Sequence, residues 1–324
     1  MLSRLWQHRK VLIGLAAALA AGAVLQFTNT NPAVSQTLAL SAAEVQDDPG
    51  IDPDSPVWNS VASVNLPLTA QTGTYISGGS VTTIRTQVVH HTGRLYIRVT
   101  WPDTTEDDTS TRAEDFADAV AIEFPASGTA TIPAICMGQA DSAVNIWHWR
   151  ADSNAGLRDP KDVYRNTLVD GYPSTENLFY TAREAGNPYA NPDQGAVQSL
   201  YSVAFGELTT LNFQDVTGFG RHTADGWTVV FTREFDTTHP GHAVFGTGKK
   251  LDMAFAIWDG SNDERNGRKA VSQLVTLNIA GGPAAKDTGG AIDNLAVAIG
   301  LLFAVSVLAV AGAGWAYRYD RSIR

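Results

Sequence analysis

The run Leu95-Tyr96-Ile97-Arg98-Val99-Thr100-Trp101 constrains the fold of this chain more than any other stretch. It is rich in β-branched and aromatic residues and is entered through the turn His91-Thr92-Gly93-Arg94, so it reads as a strand. Similar segments surround it. Val81 to Val89 alternates, with Ile84 and Val88 among polar neighbours, and Ala119 to Phe124 is stopped by Pro125. Ala143 to Trp149, Trp227 to Arg233, Leu251 to Trp258 and Gln273 to Ile279 follow, the last running into Gly281-Gly282-Pro283. Strands of this length, separated by Gly, Asp and Pro turns and with no comparable helical periodicity among them, imply an all-β chain. The expected architecture is an antiparallel β-sandwich. Between Asp152 and Asp215 the pattern loosens into Asn, Gly, Pro and Tyr, a long excursion with room for a short helix. Loops of that length tend to be functional.

The two ends read differently from the middle. Arg4, His8, Arg9 and Lys10 precede an apolar run from Val11 to Phe27, and Ala33-Val34-Ser35 offers small residues at a signal-peptidase spacing. Residues 1–35 are therefore expected to be a signal peptide, with an uncleaved N-terminal anchor as the alternative. No Arg-Arg pair supports a twin-arginine route. Residues 36–56, polar, acidic and proline-bearing, read as a linker into a domain spanning 57–281. After a second linker, 282–294, the apolar segment 295–317 is long enough to span a bilayer as a helix. Trp315 and Tyr317 close it, and Arg318, Arg321 and Arg324 in the tail 318–324 place that tail in the cytoplasm. The main domain is then extracytoplasmic, in a single-pass protein of the cell membrane.

A net charge of -10 at pH 7 argues against nucleic acid as a partner, since a phosphate binder needs a clustered basic surface. A lone cysteine, Cys136, cannot form a disulfide within the chain. The absence of Cys-x-x-Cys-His excludes the usual covalent haem attachment. Gly-x-Ser-x-Gly and His-Glu-x-x-His are also absent, which removes a nucleophile elbow and the commonest zinc-protease signal. His90 and His91, adjacent at a strand end, should point to opposite faces, and His239 and His242 flank a Pro-Gly turn without evident partners. The acidic runs Asp103 to Asp108 and Asp259 to Glu264 each follow a tryptophan. Asp-rich loops of this kind can bind calcium, but the spacing fits no EF-hand, and a solvated surface loop is the expected reading.

A thioether remains as a candidate ligand. Met253 sits inside an alternating strand and reads as core, whereas Met137 lies in an irregular stretch just before Asn145-Ile146-Trp147-His148-Trp149-Arg150. A polarizable sulfur near indole rings suits either a packed corner or the wall of a flat cofactor's pocket. The residues alone leave both readings open.

Several separated motifs, in order, resemble the haem-binding gamma subunits related to ethylbenzene dehydrogenase, whose relatives serve dimethylsulfide dehydrogenase and selenate, chlorate and nitrate reductases. The motifs are Trp101-Pro102-Asp103-Thr104-Thr105, Asp115-Phe116-Ala117-Asp118-Ala119-Val120-Ala121, Met137-Gly138 with Asn145 to Trp149, and Phe255 to Gly260 with Glu264 to Ser272. The resemblance spans Val57 to Ile279. It implies one non-covalent b-type haem with methionine and lysine as axial ligands of the iron. Carried over by motif, these are Met137 and Lys269, with Lys161 as the rival lysine. Trp147, His148 and Trp149 are candidates for the pocket wall, although only alternate residues of a strand share a face. Arg150 or Arg98 is a candidate partner for a propionate. The implied role is non-catalytic: electron transfer beside a molybdopterin catalytic subunit and an iron–sulfur subunit. The expected C-terminal membrane helix departs from the resemblance, being an addition to a usually soluble subunit. The alternative is a membrane-anchored carbohydrate-binding sandwich, which requires Trp101 and Trp258 to be exposed on one face and no cavity beside Met137.

Overall fold

The computed structural model describes residues 38–73, 76–110, 112–128, 132, 137–154 and 195–283. The expected leader (1–35), the apolar segment 295–317, Cys136 and Lys161 lie outside them. Among the described residues no helix is long and apolar enough to cross a membrane.

Among the described residues the regular structure is mostly strand. In order, the strands are β1 (Ala39–Glu44), β2 (Val64–Gly73), β3 (Ile76–Gly78), β4 (Thr83–His91), β5 (Arg94–Trp101), β6 (Ala119–Pro125) and β7 (Val144–Arg150). A single helical turn, α1 (Ala151–Asn154), leads on to β8 (Val197–Ala204), β9 (Glu207–Thr210) and β10 (Thr217–Thr223). The remaining strands are β11 (Gly226–Glu234), β12 (Lys250–Trp258), β13 (Ala270–Ser272) and β14 (Val275–Pro283). Hydrogen bonding follows the order β10-β11-β5-β4-β1-β14-β12-β6-β7-β8-β9. β1 pairs with β4 in parallel, whereas β4–β5, β5–β11, β10–β11, β12–β14, β12–β6, β6–β7, β7–β8 and β8–β9 are antiparallel. The β4–β5 hairpin turns on Thr92 (φ 44°) and Gly93 (φ 75°), both left-handed as a tight turn between twisted strands requires.

Two layers arise because β12 changes partners along its length. Lys250–Met253 pairs with β14, and Ala254–Trp258 pairs with β6. The faces that result pack against each other through aromatic rings. Trp101 of β5 meets Trp149 of β7 at 6.2 Å, Trp227 of β11 meets Trp149 at 5.0 Å, and Phe231 of β11 meets Trp147 at 6.5 Å. Each such pair adds about 0.5–1.5 kcal/mol beyond the area it buries. The approach is close: a Cβ at Gly220 of β10 would stand 2.2 Å from the Trp149 ring.

Two expectations need correction. The segment read as a linker, 36–56, contains β1, whose Leu40 and Ala42 are buried between β4 and β14. Small alternating residues there carry a weak strand signal. The excursion after Asp152 contains β8 and β9, which extend the β6–β7 layer. Their buried Gln198, Ser199 and Ser202 interrupt the apolar alternation.

Candidate functional site

Strands β6, β7 and β12 turn large side chains to the sandwich core and small ones to the other face. Val120, Ile122, Phe124, Trp147, Trp149, Phe255 and Ile257 belong to the main core. Ala119, Ala121, Ala254 and Ala256, alternating with them, leave room on the opposite face. A cavity of about 590 Å³ lies there, also lined by Glu123, Met137, Ile146, His148, Arg150, Trp258, Arg265 and Lys269. This is within the range of roughly 300–1,000 Å³ for cofactor pockets. Phe205 and Leu208, both about half exposed, stand at its edge.

Met137 is held in an unusual conformation. Its φ is 74°, left-handed for a residue with a side chain, and Gly138 follows at 78°. Its N–H donates to Glu123 Oε2 at 3.0 Å, and its carbonyl accepts from Ser202 Oγ at 2.7 Å. A side chain at Gly138 would meet Ser202 O at 2.7 Å, so only glycine lets this turn press onto β8. Strain of this kind costs of order 1–3 kcal/mol and persists where its surroundings enforce it, commonly at ligand sites.

Lys269 enters the cavity from the β12–β13 connection. It is buried, with Nζ 5.0 Å from the centre of the Trp258 ring. Trp258 is fixed by an Nε1–H donated to Asn266 O at 3.1 Å. The backbone beneath Lys269 is clamped by Gly79, where a Cβ would stand 2.8 Å from Lys269 O. Gly79 and Ser80 in turn donate their N–H groups to Glu264 Oε1 at 2.9 and 2.7 Å.

Two ionisable groups join the ligand candidates. Glu123 lines the same cavity: burial raises its carboxyl above the ordinary range, while the Met137 N–H and the charge of Lys269 pull it down. His148, 5.2 Å from Trp258 across the cavity wall, is driven down to about 3 by burial and by the charges of Arg150 and Lys269. Its imidazole is therefore neutral at physiological pH.

Of the residues singled out in the sequence, Met137, Lys269, His148 and Arg150 converge on the cavity. Trp147 and Trp149 do not. Both are fully buried on the core face, because strand alternation turns them away from the face that His148 occupies. Arg98 is also elsewhere, donating to Pro53 O and Gln87 Oε1. Glu123 and the alanines were not singled out; a carboxylate and small residues in a strand carry no signal of their own. Trp101 is fully buried and Trp258 nearly so, which removes the exposed aromatic face that a carbohydrate-binding reading requires.

Comparisons with known proteins identify the family. The sequence profile of the ethylbenzene dehydrogenase family matches residues 55–270. A Haloferax mediterranei protein described as a respiratory nitrate reductase heme subunit is 30% identical over 274 residues, covering 82% of this chain and 83% of its own. The chlorate reductase subunit gamma of Ideonella dechloratans is 28% identical over 269 residues, covering 82% and 93%. The dimethylsulfide dehydrogenase subunit gamma of Rhodovulum sulfidophilum is 27% identical over 235 residues, covering 68% and 72%. Among solved structures, a family 9 carbohydrate-binding module from Caldicellulosiruptor kristjanssonii in complex with glucose has a TM-score of 0.38 and 10% identity, covering 78% of this chain and 100% of that one. A likeness that distant carries no functional argument. The match over residues 55–270, with relatives aligned along most of their own length, shows that this chain belongs to the ethylbenzene dehydrogenase family.

Proposed function

We propose that this chain is the b-type haem electron-transfer subunit of a molybdenum oxidoreductase complex, and not a catalyst by itself. The observation that carries the reading is the cavity shared by the Met137 thioether and the Lys269 amine. The donor set fits a haem iron: one soft sulfur and one amine on a wall of alanines, with Arg265, and Arg150 in its pair with Asp152, as candidate partners for the propionates. When bound, a haem ligated on both axial sides passes single electrons and leaves no open position for substrate.

The chain's own residues would prepare this. An amine ligates only as the free base, so Lys269 must shed a proton on binding. Glu123 is the neighbouring carboxylate, and its burial-raised affinity for protons makes it the acceptor. The enforced turn at Met137 fixes where its sulfur starts, which lowers the entropy cost of ligation. Neutral His148 and Trp258 complete a wall without adding charge.

The relatives are named as heme or gamma subunits of reductases and a dehydrogenase, which supports molybdopterin and iron–sulfur subunits as partners. The apolar segment 295–317 and the arginines after it support an extracytoplasmic domain tethered to the cell membrane. Reduced-minus-oxidised spectra of the full chain, expressed with ample haem and fractionated with the membranes, test the proposal. A b-type spectrum is expected, shifted or lost in Met137→Ala and in Lys269→Ala. A colourless protein, or variants with unchanged spectra, would overturn it.

A further inference from the structure

The geometry points to a second ligand site: a hard divalent cation of the calcium class held by the carboxylates of Asp103, Asp118 and Asp259. These residues come from three places, just after β5, just before β6 and just after β12. They nevertheless bring carboxylate oxygens within 4.8 Å of one another. All three are more than nine-tenths buried, with Asp103 at 7%, Asp118 at 0% and Asp259 at 9% exposure. Among the described residues none of them pairs with a lysine or arginine. Carboxylates crowded out of water without a counter-charge are expensive to ionise: burial raises Asp103 and pushes Asp118 up to about 7, so the cluster holds either a proton or a cation.

Hydrogen bonds aim the group without closing it. Asp118 Oδ1 accepts from Gly260 N at 2.8 Å, and its Oδ2 from Asp107 N and Trp227 Nε1, each at 2.8 Å. Asp259 Oδ1 accepts from Ser261 Oγ at 2.7 Å, and its Oδ2 from Ser80 Oγ at 3.0 Å and Asn262 Nδ2 at 2.6 Å. Asp103 Oδ1 takes the N–H and hydroxyl of Thr105, both at 3.0 Å. Its Oδ2 is buried with no hydrogen-bond partner at all, and Asp107 Oδ2 next to the cluster is in the same state. These are lone pairs that nothing in the protein satisfies.

Oxygen-only donors select a hard cation over zinc. Calcium binds oxygen at about 2.3–2.6 Å, so carboxylate oxygens that all lie within 4.8 Å of one another can share one ion. Magnesium dehydrates reluctantly and usually keeps several waters, so it is the poorer occupant of a buried set of protein carboxylates.

The placement has a consequence for the cavity. Asp115, Phe116 and Ala117, just before Asp118, line it, and so do Glu264 to Gly267 and Lys269, after Asp259. The two loops already touch, since a Cβ at Gly260 would stand 2.0 Å from Phe116 O. A cation among these carboxylates staples both loops at the border of the site that carries Lys269.

The test uses the full chain, chelator-stripped and free of haem, titrated with calcium chloride in a calorimeter and melted at each concentration. One calcium per chain is expected, with a Tm that rises with calcium and magnesium binding at least tenfold weaker. Asp103→Asn keeps Oδ1 as an acceptor for Thr105 and should fold, yet lose at least tenfold in calcium affinity; Asp259→Asn should do the same. No calcium uptake by the wild-type chain, a preference for magnesium, or undiminished affinity in both variants would overturn the assignment. Because the readout needs no haem, it stands or falls apart from the electron-transfer proposal.

Discussion

The two faces of the β6–β7–β12 sheet differ in what a protein uses a strand for. On the inner face, Phe124, Trp147, Trp149 and Phe255 fill the sandwich, and rings such as Phe124 and Trp147 approach to 4.7 Å. On the outer face the same strands offer alanines, Glu123, Ile146, His148, Arg150 and Trp258 beside the Met137 turn, and they leave about 590 Å³ of space. One backbone thus supports a close-packed interior and an open cavity a side chain apart. The inner face provides rigidity and the outer face provides chemistry. Breaking either one should leave a recognisably different signature.

Trp147→Ala should be the more damaging change. Trp147 is fully buried, and its ring also covers the guanidinium of Arg233, 5.2 Å from the ring centre. Arg233 is itself buried and held down to about 10 by desolvation, so it loses a favourable neighbour when the indole goes. A loss of about 3–5 kcal/mol is expected, read as a lower midpoint in urea denaturation. A loss under about 1 kcal/mol would mean that the inner face is not the rigid support described.

The outer face should show itself through acid. His148 has an ordinary value of 6.5 in the unfolded chain and about 3 in the fold. Its depressed pKa means that the unfolded state binds a proton that the native state refuses. Stability is therefore intact above pH 6.5 and falls as pH drops toward 3, by up to about 1.4 kcal/mol per pH unit. Glu123, raised by burial, acts in the opposite sense, so the informative quantity is a difference. In the haem-free protein, His148→Gln should flatten the decline of Tm between pH 6.5 and 4.5. Parallel curves for the two proteins would show that His148 is not held neutral.

The inner face was much easier to read from sequence than the outer one. Leu95 to Trp101 and Leu251 to Trp258 announce themselves by β-branched and aromatic content, and the His91–Arg94 turn forms as expected. The Trp-His-Trp run was legible only up to its parity. Indoles look like a cofactor's wall, but the sandwich takes the largest residues for itself and leaves His148 to the cavity. Glu123 carries no sequence signal because its burial depends on Met137 folding back over β6. The acidic runs are surface only in part: Glu106 and Asp263 are exposed, while Asp103, Asp259 and Glu264 are buried. Charge density suggests solvent, yet Asp103 accepts from Thr105, Asp259 from Ser80 and Asp118 from Trp227, and only the fold brings the three carboxylates together. Local pattern reports the strands; convergence of distant polar groups is a tertiary fact.

Ala256→Leu is the gentlest perturbation of stability and the sharpest probe of the contrast. Ala256 lies on β12 opposite Ala121 of β6 and Val271 of β13, and its side chain borders the cavity. A leucine there extends into space and not into a neighbour, so the usual penalty for overpacking, about 1–3 kcal/mol, should largely be absent. Burial of the added methylenes against Ile146 and Leu200, on the same face, would offset part of what remains. The expected change in stability is below about 1 kcal/mol, whereas haem uptake, titrated by absorbance into the haem-free protein, should fall at least tenfold. An inner-face variant of comparable size would reverse that order, losing stability before it lost the cofactor. If Ala256→Leu instead unfolds the chain, the outer face is packed and the cavity is not a site; if it folds and binds haem as well as the wild type, the cofactor lies elsewhere.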